Sequence, residues 1–214
     1  MIEAVLEGAR SILCIGAHCD DIEIGCGGAV LKLLAANPGT HVDWVVLTSD
    51  AEREVEARSA AEAILGGAAS STVSVEGFRG RFLPYVAADV KEYFDGLGAR
   101  CDPDVVFTHY REDLHQDHRL LCELTYNTFR DHLVLEYEIP KYDGDVGRPN
   151  TYVWLTREQC ERKVATIVDG FPTQSEKHWF SGETFWALLR LRGIEAKSPS
   201  GYAEAFYSRK LVLR

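Results

Sequence analysis

Five strand-like runs limit what this chain can fold into. They are SILCIGA (Ser11–Ala17), HVDWVVLT (His41–Thr48), STVSV (Ser71–Val75), DVVFT (Asp104–Thr108) and LVLEYEI (Leu133–Ile139). Each has the length of a strand and is too short for a typical helix. Helical segments alternate with them. Gly25–Ala36 is stopped by Asn37, Pro38 and Gly39, and Ala51–Leu65 by Gly66 and Gly67. Ala88–Leu97 and Leu114–Arg130 follow. This alternation predicts an α/β fold with a mostly parallel sheet and helices on both faces. Ligands of such sheets sit beyond the carboxyl ends of the strands.

At 214 residues the chain suits a single domain with a substantial core. We divide it into a core over residues 1–140 and a C-terminal extension over residues 141–214. The extension opens on turn chemistry, KYDGDVGRPN. It continues with a strand at Tyr152–Leu155, a helix at Thr156–Val168, a second helix after Ser181 and a terminal strand at Ala203–Leu213.

The net charge of −10 repels phosphate backbones and anionic lipid, so neither nucleic acid nor membrane is an expected partner. No run approaches the roughly 18 consecutive apolar residues of a membrane span. The N-terminal stretch MIEAVLEGARSILCIGAHCDD carries acids where a signal peptide carries bases. The six cysteines are scattered without C-x-x-C spacing and read as reduced packing residues. These features together give a cytoplasmic expectation.

Two polar clusters lie at predicted strand ends. GAHCDDIEIGCGG (Gly16–Gly28) crowds His18, Asp20, Asp21 and Glu23 into six residues, and HYREDLHQDHR (His109–Arg119) holds three histidines and three acids. Carboxylates this close resist ionising together unless a cation offsets them. His18 and Asp21 are three apart, as are His115 and His118, which share a face at a helix start. The clusters can bring one carboxylate and two or three imidazoles to one sheet edge, a donor set that suits catalytic Zn²⁺ with an open coordination position. Asp20 is then placed to act as a base, and Asp117 to hold the tautomer of His115. A dinucleotide site fits poorly. The third glycine of G-x-G-x-x-G is Val30 here, and the acids before Gly25 would repel a pyrophosphate.

At these residues the chain resembles the PIG-L/LmbE-like deacetylase family. The family motif A-H-P-D-D-E is matched by Ala17-His18-Cys19-Asp20-Asp21-Ile22, and H-x-D-H by His115-Gln116-Asp117-His118. Arg53, Glu56, Ala60 and Leu65-Gly66 fit the intervening R-x-x-E-x-x-x-A and Leu-Gly pattern, and Ser200–Phe206 (SGYAEAF) resembles the family tail. Cys19 departs from proline and Ile22 from the acid, with Glu23 one position later; neither change removes a ligand or the base.

The resemblance implies a Rossmann-like fold and a divalent metal, usually zinc, with Fe²⁺ or Co²⁺ as alternatives. It implies hydrolysis of N-acyl groups, mostly N-acetyl on amino sugars. By position, His18, Asp21 and His118 are the metal ligands and Asp20 the general base. His115 steadies the oxyanion or protonates the leaving amine, supported by Asp117. Arg53 is the candidate grip on a sugar hydroxyl, His109 and His178 are further candidates for substrate contact, and Asp113 is a further site candidate. Glu23 is expected to be solvated or bonded to backbone. The family's members often form homo-oligomers. EYEIPKYDG and SEKHWFSGETF look like a bacterial subgroup tied to sugar and secondary metabolism. The alternatives are an amidase on another acylated small molecule, such as a sugar–thiol conjugate or antibiotic intermediate, and a non-enzymatic metal- or ligand-binding module.

Overall fold

A computed structural model describes residue 6 and residues 8–212. One seven-stranded sheet runs through the domain. Its strands are β1 (Ser11–Gly16), β2 (His41–Thr48), β3 (Ser70–Phe78), β4 (Val105–His109), β5 (Leu133–Tyr137), β6 (Thr151–Trp154) and β7 (Ala203–Ser208), in the order β3-β2-β1-β4-β5-β7-β6. The first five pair in parallel; β7 lies antiparallel to both β5 and β6.

The apolar strands are buried on both faces, and their alternation divides the core. Ile12 and Cys14 of β1 join one apolar cluster, with Trp44, Phe107 and Tyr137. Leu13 and Ile15 join the other, with Val45, Leu47 and Val106. A period of two sends successive side chains to opposite faces, so one strand feeds both layers. The helices are α1 (Asp21–Ala36), α2 (Ala51–Leu65), α3 (Ala87–Arg100), α4 (Gln116–Thr128), α5 (Arg157–Gly170) and α6 (Gly182–Glu195). Apolar residues of α1, α2, α5 and α6 fill the first cluster, and those of α3 and α4 the second.

Two expectations need correction. The sequence places the start of α1 at Gly25, but the helix begins at Asp21. Its glycines serve packing. A Cβ on Gly25 would stand 2.1 Å from Tyr137 Cδ2, and one on Gly28 2.4 Å from Leu155 Cδ1. The first-turn carboxylate of Asp21 suits the positive end of the helix. The last strand is also shorter than expected, ending at Ser208; Leu213 lies outside the described residues.

The C-terminal extension is part of the sheet. β7 is inserted between β5 and β6, and its buried Glu204 accepts from the Gly28 and Ala29 amides at 2.8 and 2.6 Å. Lys163 of α5 completes the join, pairing with Glu204 and donating to the Ile24 carbonyl at 2.6 Å. Removing one member of such a buried pair strands the other, at a cost of about 3–5 kcal/mol. Among the described residues, all six cysteines are free and no helix is long and apolar enough to cross a membrane.

Candidate active site

The strand order reverses between β1 and β4, and here two loops leave the carboxyl edge of the sheet side by side. The loop after β1 carries His18 and Asp20 and leads into Asp21; the loop after β4 carries Asp113 and His115 and leads into His118. Residues about a hundred positions apart are thereby brought into contact. His18 Nδ1 lies 3.1 Å from His118 Nε2 and 3.2 Å from Asp21 Oδ2, and His118 Nε2 lies 3.5 Å from Asp21 Oδ2.

The outer atoms of these rings explain why the inner ones converge. His118 Nδ1 is 2.9 Å from Asp113 Oδ2 and His18 Nε2 is 3.4 Å from Asp117 Oδ2. With the outer nitrogen of His118 donating to Asp113 and that of His18 facing Asp117, the inner nitrogens are the ones left to turn toward the Asp21 oxygen. Three acceptors aimed at one point form the donor set of a cation. Ligand atoms about 2.0–2.1 Å from a tetrahedral zinc ion would stand about 3.3–3.4 Å apart, so the observed spacing fits. The local field also favours positive charge. Burial pulls the His18 imidazole down, but Asp21 and Asp117 outweigh it and hold it up to about 9, so His18 carries a proton that a metal ion would displace. His118 is pushed down to about 3 by burial and by His109 beneath it, which keeps its imidazole neutral.

The remaining predicted residues divide between the cleft and its supports. Asp20 lines the cleft and accepts from Arg53 Nη2 at 2.8 Å. Arg53 was expected to grip a sugar hydroxyl; its guanidinium also lines the cleft, but its bond is to Asp20. His115 caps α4, and its Nδ1 accepts the Asp117 amide at 3.2 Å, so its proton belongs on Nε2. The Asp117 carboxylate does not make the expected bond to His115. It accepts the Arg81 and Leu83 amides at 2.6 and 3.2 Å and faces His18.

His109 was expected to touch substrate, but it is fully buried. Its Nε2 accepts the Ala17 amide at 2.9 Å and its ring stacks 3.8 Å beneath His118, so it shapes the β1–α1 turn. His178 is exposed and lies outside the cleft lining. Glu23 is neither solvated nor bonded to backbone. It is buried, with both carboxylate oxygens unpartnered among the described residues, and burial pushes it well above the usual range toward the neutral acid.

Sequence reasoning missed Lys141. Its ammonium bridges Asp113 at 3.0 Å and Asp145 at 2.5 Å, and Asp145 also accepts the Leu114 amide at 2.7 Å. Burial raises the Asp113 carboxyl, but His118 and Lys141 outweigh it and hold it well below the usual carboxylate range. Lys141→Met should therefore loosen His118 and weaken divalent-metal affinity about 10- to 100-fold, read by chelator competition. Unchanged affinity would make the bridge purely a loop fastener.

Glu56 was noted only as a motif position. It accepts Thr173 N and Oγ1 at 2.9 and 2.6 Å, tying α2 to the segment that brings Lys177 and Trp179 to the cleft. That cleft encloses about 540 Å³ above the convergent ligand atoms.

The PIG-L family profile, described as GlcNAc-PI de-N-acetylase, matches residues 13–129, which span both polar clusters. The chain belongs to the PIG-L family. A curated relative of this PIG-L protein is the uncharacterized deacetylase YaiS of Escherichia coli (strain K12), 30% identical over 143 residues, or 61% of this chain and 75% of YaiS. Among solved structures, GalB, the 4-carboxy-2-hydroxymuconate hydratase from Pseudomonas putida KT2440, has TM-score 0.73 at 21% identity, covering 96% of this chain and 98% of GalB. The N,N'-diacetylchitobiose deacetylase from Pyrococcus horikoshii has TM-score 0.69 at 20% identity, covering 94% and 84%. At these identities the structural likeness carries the fold.

Proposed function

We propose that this PIG-L protein is a zinc-dependent N-deacetylase acting on a small amino-sugar derivative: R–NH–CO–CH₃ + H₂O → R–NH₃⁺ + CH₃CO₂⁻. The observation that carries this reading is the convergence of His18, Asp21 and His118 beside Asp20 on the floor of an open cleft. These three residues would hold the ion. A bound divalent cation supplies Lewis acidity and brings the pKa of water toward about 7. Fe²⁺ or Co²⁺ would suit the same donors.

The chain's own groups account for the rest. Asp20 receives the proton of the attacking water, and Arg53 fixes the carboxylate that does so. His115 presents Nε2–H to the cleft, where it meets the negative charge growing on the carbonyl oxygen. Asp117 sets the His18 tautomer and the backbone of the 81–83 turn. The amine leaves with a proton from Asp20 or His115. The activity printed for the Pyrococcus protein supports an acetylated amino sugar as substrate class.

GalB shows that this fold also serves a hydratase, so product identity matters more than substrate loss. The test is acetate release from a panel of N-acetyl amino sugars, before and after chelation and after return of Zn²⁺. Release that stops on chelation and returns with zinc is expected. Release that chelation leaves untouched would overturn the metal-dependent reading.

A further inference from the structure

The chain is acidic, yet free positive charge collects in its cleft. The lining includes five cationic and four acidic side chains, and most are already committed. Arg53 is bonded to Asp20 and Lys141 bridges Asp113 and Asp145. Asp21 belongs to the histidine cluster, and Asp50 caps α2 by accepting the Glu52 and Arg53 amides at 3.1 and 2.9 Å. Among the described residues this leaves Arg79, Arg81 and Lys177 without a carboxylate partner, against Asp143 alone.

The structure fixes the backbone that carries Arg81 and anchors the segment that carries Lys177. Arg81 has φ of 69°, a left-handed conformation that costs a non-glycine residue of order 1 kcal/mol or more. It is kept there by Asp117 on its amide at 2.6 Å and Gln116 Nε2 on its carbonyl. The catalytic H-x-D-H segment thus fixes the backbone that carries Arg81. Lys177 lies opposite, on the segment anchored through Thr173 to Glu56, with its ammonium bonded to Gln174 and 5.4 Å from the Trp179 ring centroid. Burial pulls the Lys177 ammonium down, opposed by Asp20 and Asp21 and reinforced by Arg53 and Arg81. Like charges gathered from two separate segments repel one another, and an anion between them removes that cost.

We propose that the cleft takes an acylamino substrate bearing a second, anionic group, a carboxylate or a phosphate monoester, which is received between Arg81 and Lys177. The guanidinium offers a planar fork and the ammonium a point charge, a pairing that suits either oxyanion. Trp179, beside Lys177 in the lining, supplies an apolar face for the body of the substrate. The volume of about 540 Å³ accommodates a substituted sugar. The amide part of this proposal rests on the deacetylase reading; the anionic part rests on the cleft alone.

The test uses three N-acetylglucosaminides that share one linker ending in a methyl ester, a carboxylate or a phosphate. Acetate release is measured at fixed ionic strength. The wild type should favour at least one anion over the ester by about tenfold or more in kcat/KM, the value of one charge-assisted contact, and the preferred anion identifies the group. In K177Q/R81Q that ratio should fall toward one, whereas Lys177→Arg should retain it. No anion preference in the wild type, or the same preference in K177Q/R81Q, would overturn the proposal. If none of the three releases acetate, the deacetylase reading fails by itself. Calorimetric binding of the same compounds then decides the anion site: tighter binding of an anion, lost in K177Q/R81Q, sustains it, and equal or absent binding overturns it.

Discussion

Asp20→Asn should keep its divalent metal and lose roughly 10²–10⁴-fold in turnover on any acetylated substrate the wild type accepts. The substitution is isosteric, and its amide oxygen can still accept from Arg53 Nη2, which now lies 2.8 Å from Asp20 Oδ1. The fold and the cleft wall therefore have no reason to move. What is lost is a group able to accept a proton beside the convergent triad. Because none of the three inner ligand atoms comes from Asp20, metal content should stay at the wild-type value. The check is kcat together with elemental analysis on one preparation. Undiminished turnover would remove Asp20 from the mechanism. Lost metal would mean that its charge, beside Asp21, holds the ion electrostatically.

This expectation was open to sequence reading because its residues are local. Asp20 and Asp21 are adjacent, and His115 and His118 fall within one helical turn. The sheet was legible for the same reason: the runs around β1, β2 and β4 are apolar, short and separated by helical stretches. Legibility ended where one side chain answers another far away in the chain. Nothing periodic marks Lys141 as the partner of Asp113, 28 residues earlier, or Glu56 as the anchor of Thr173, 117 residues later. His109 lies in the same histidine-rich segment as His115 and His118, and its role is separated from theirs by the distant Ala17 amide that its Nε2 accepts. The start of α1 read four residues late, at Gly25 rather than Asp21, and the sequence does not show that the close neighbour of Gly25 is the Tyr137 ring, which occupies the space a Cβ would need. A net charge of −10 does not say where the cations gather, since composition averages over a surface that the fold divides.

The second large effect should come from His118→Ala, which is expected to lose the metal and with it all measurable deacetylation. His118 is 2% exposed, with its ring centroid 3.8 Å from His109 and 4.5 Å from His115. Its truncation removes one of three convergent donors and leaves Asp113 with Lys141 but no imidazole to orient. The wild type should hold about one ion per chain, as a three-ligand catalytic site does, and the variant none. Circular dichroism on both proteins separates loss of the site from loss of the fold. Asp21→Asn offers a second route to the same result if the buried cavity proves too costly. His115→Ala is the decisive contrast, because His18, His115 and His118 all have ring nitrogens close enough to share an ion. His115 Nδ1 is occupied by the Asp117 amide, so Nε2 carries the proton and has no lone pair to give. Its loss should lower kcat and leave the metal in place. If His115→Ala loses the ion while His118→Ala keeps it, the tautomer argument fails, and with it the choice of His118 over His115 as ligand.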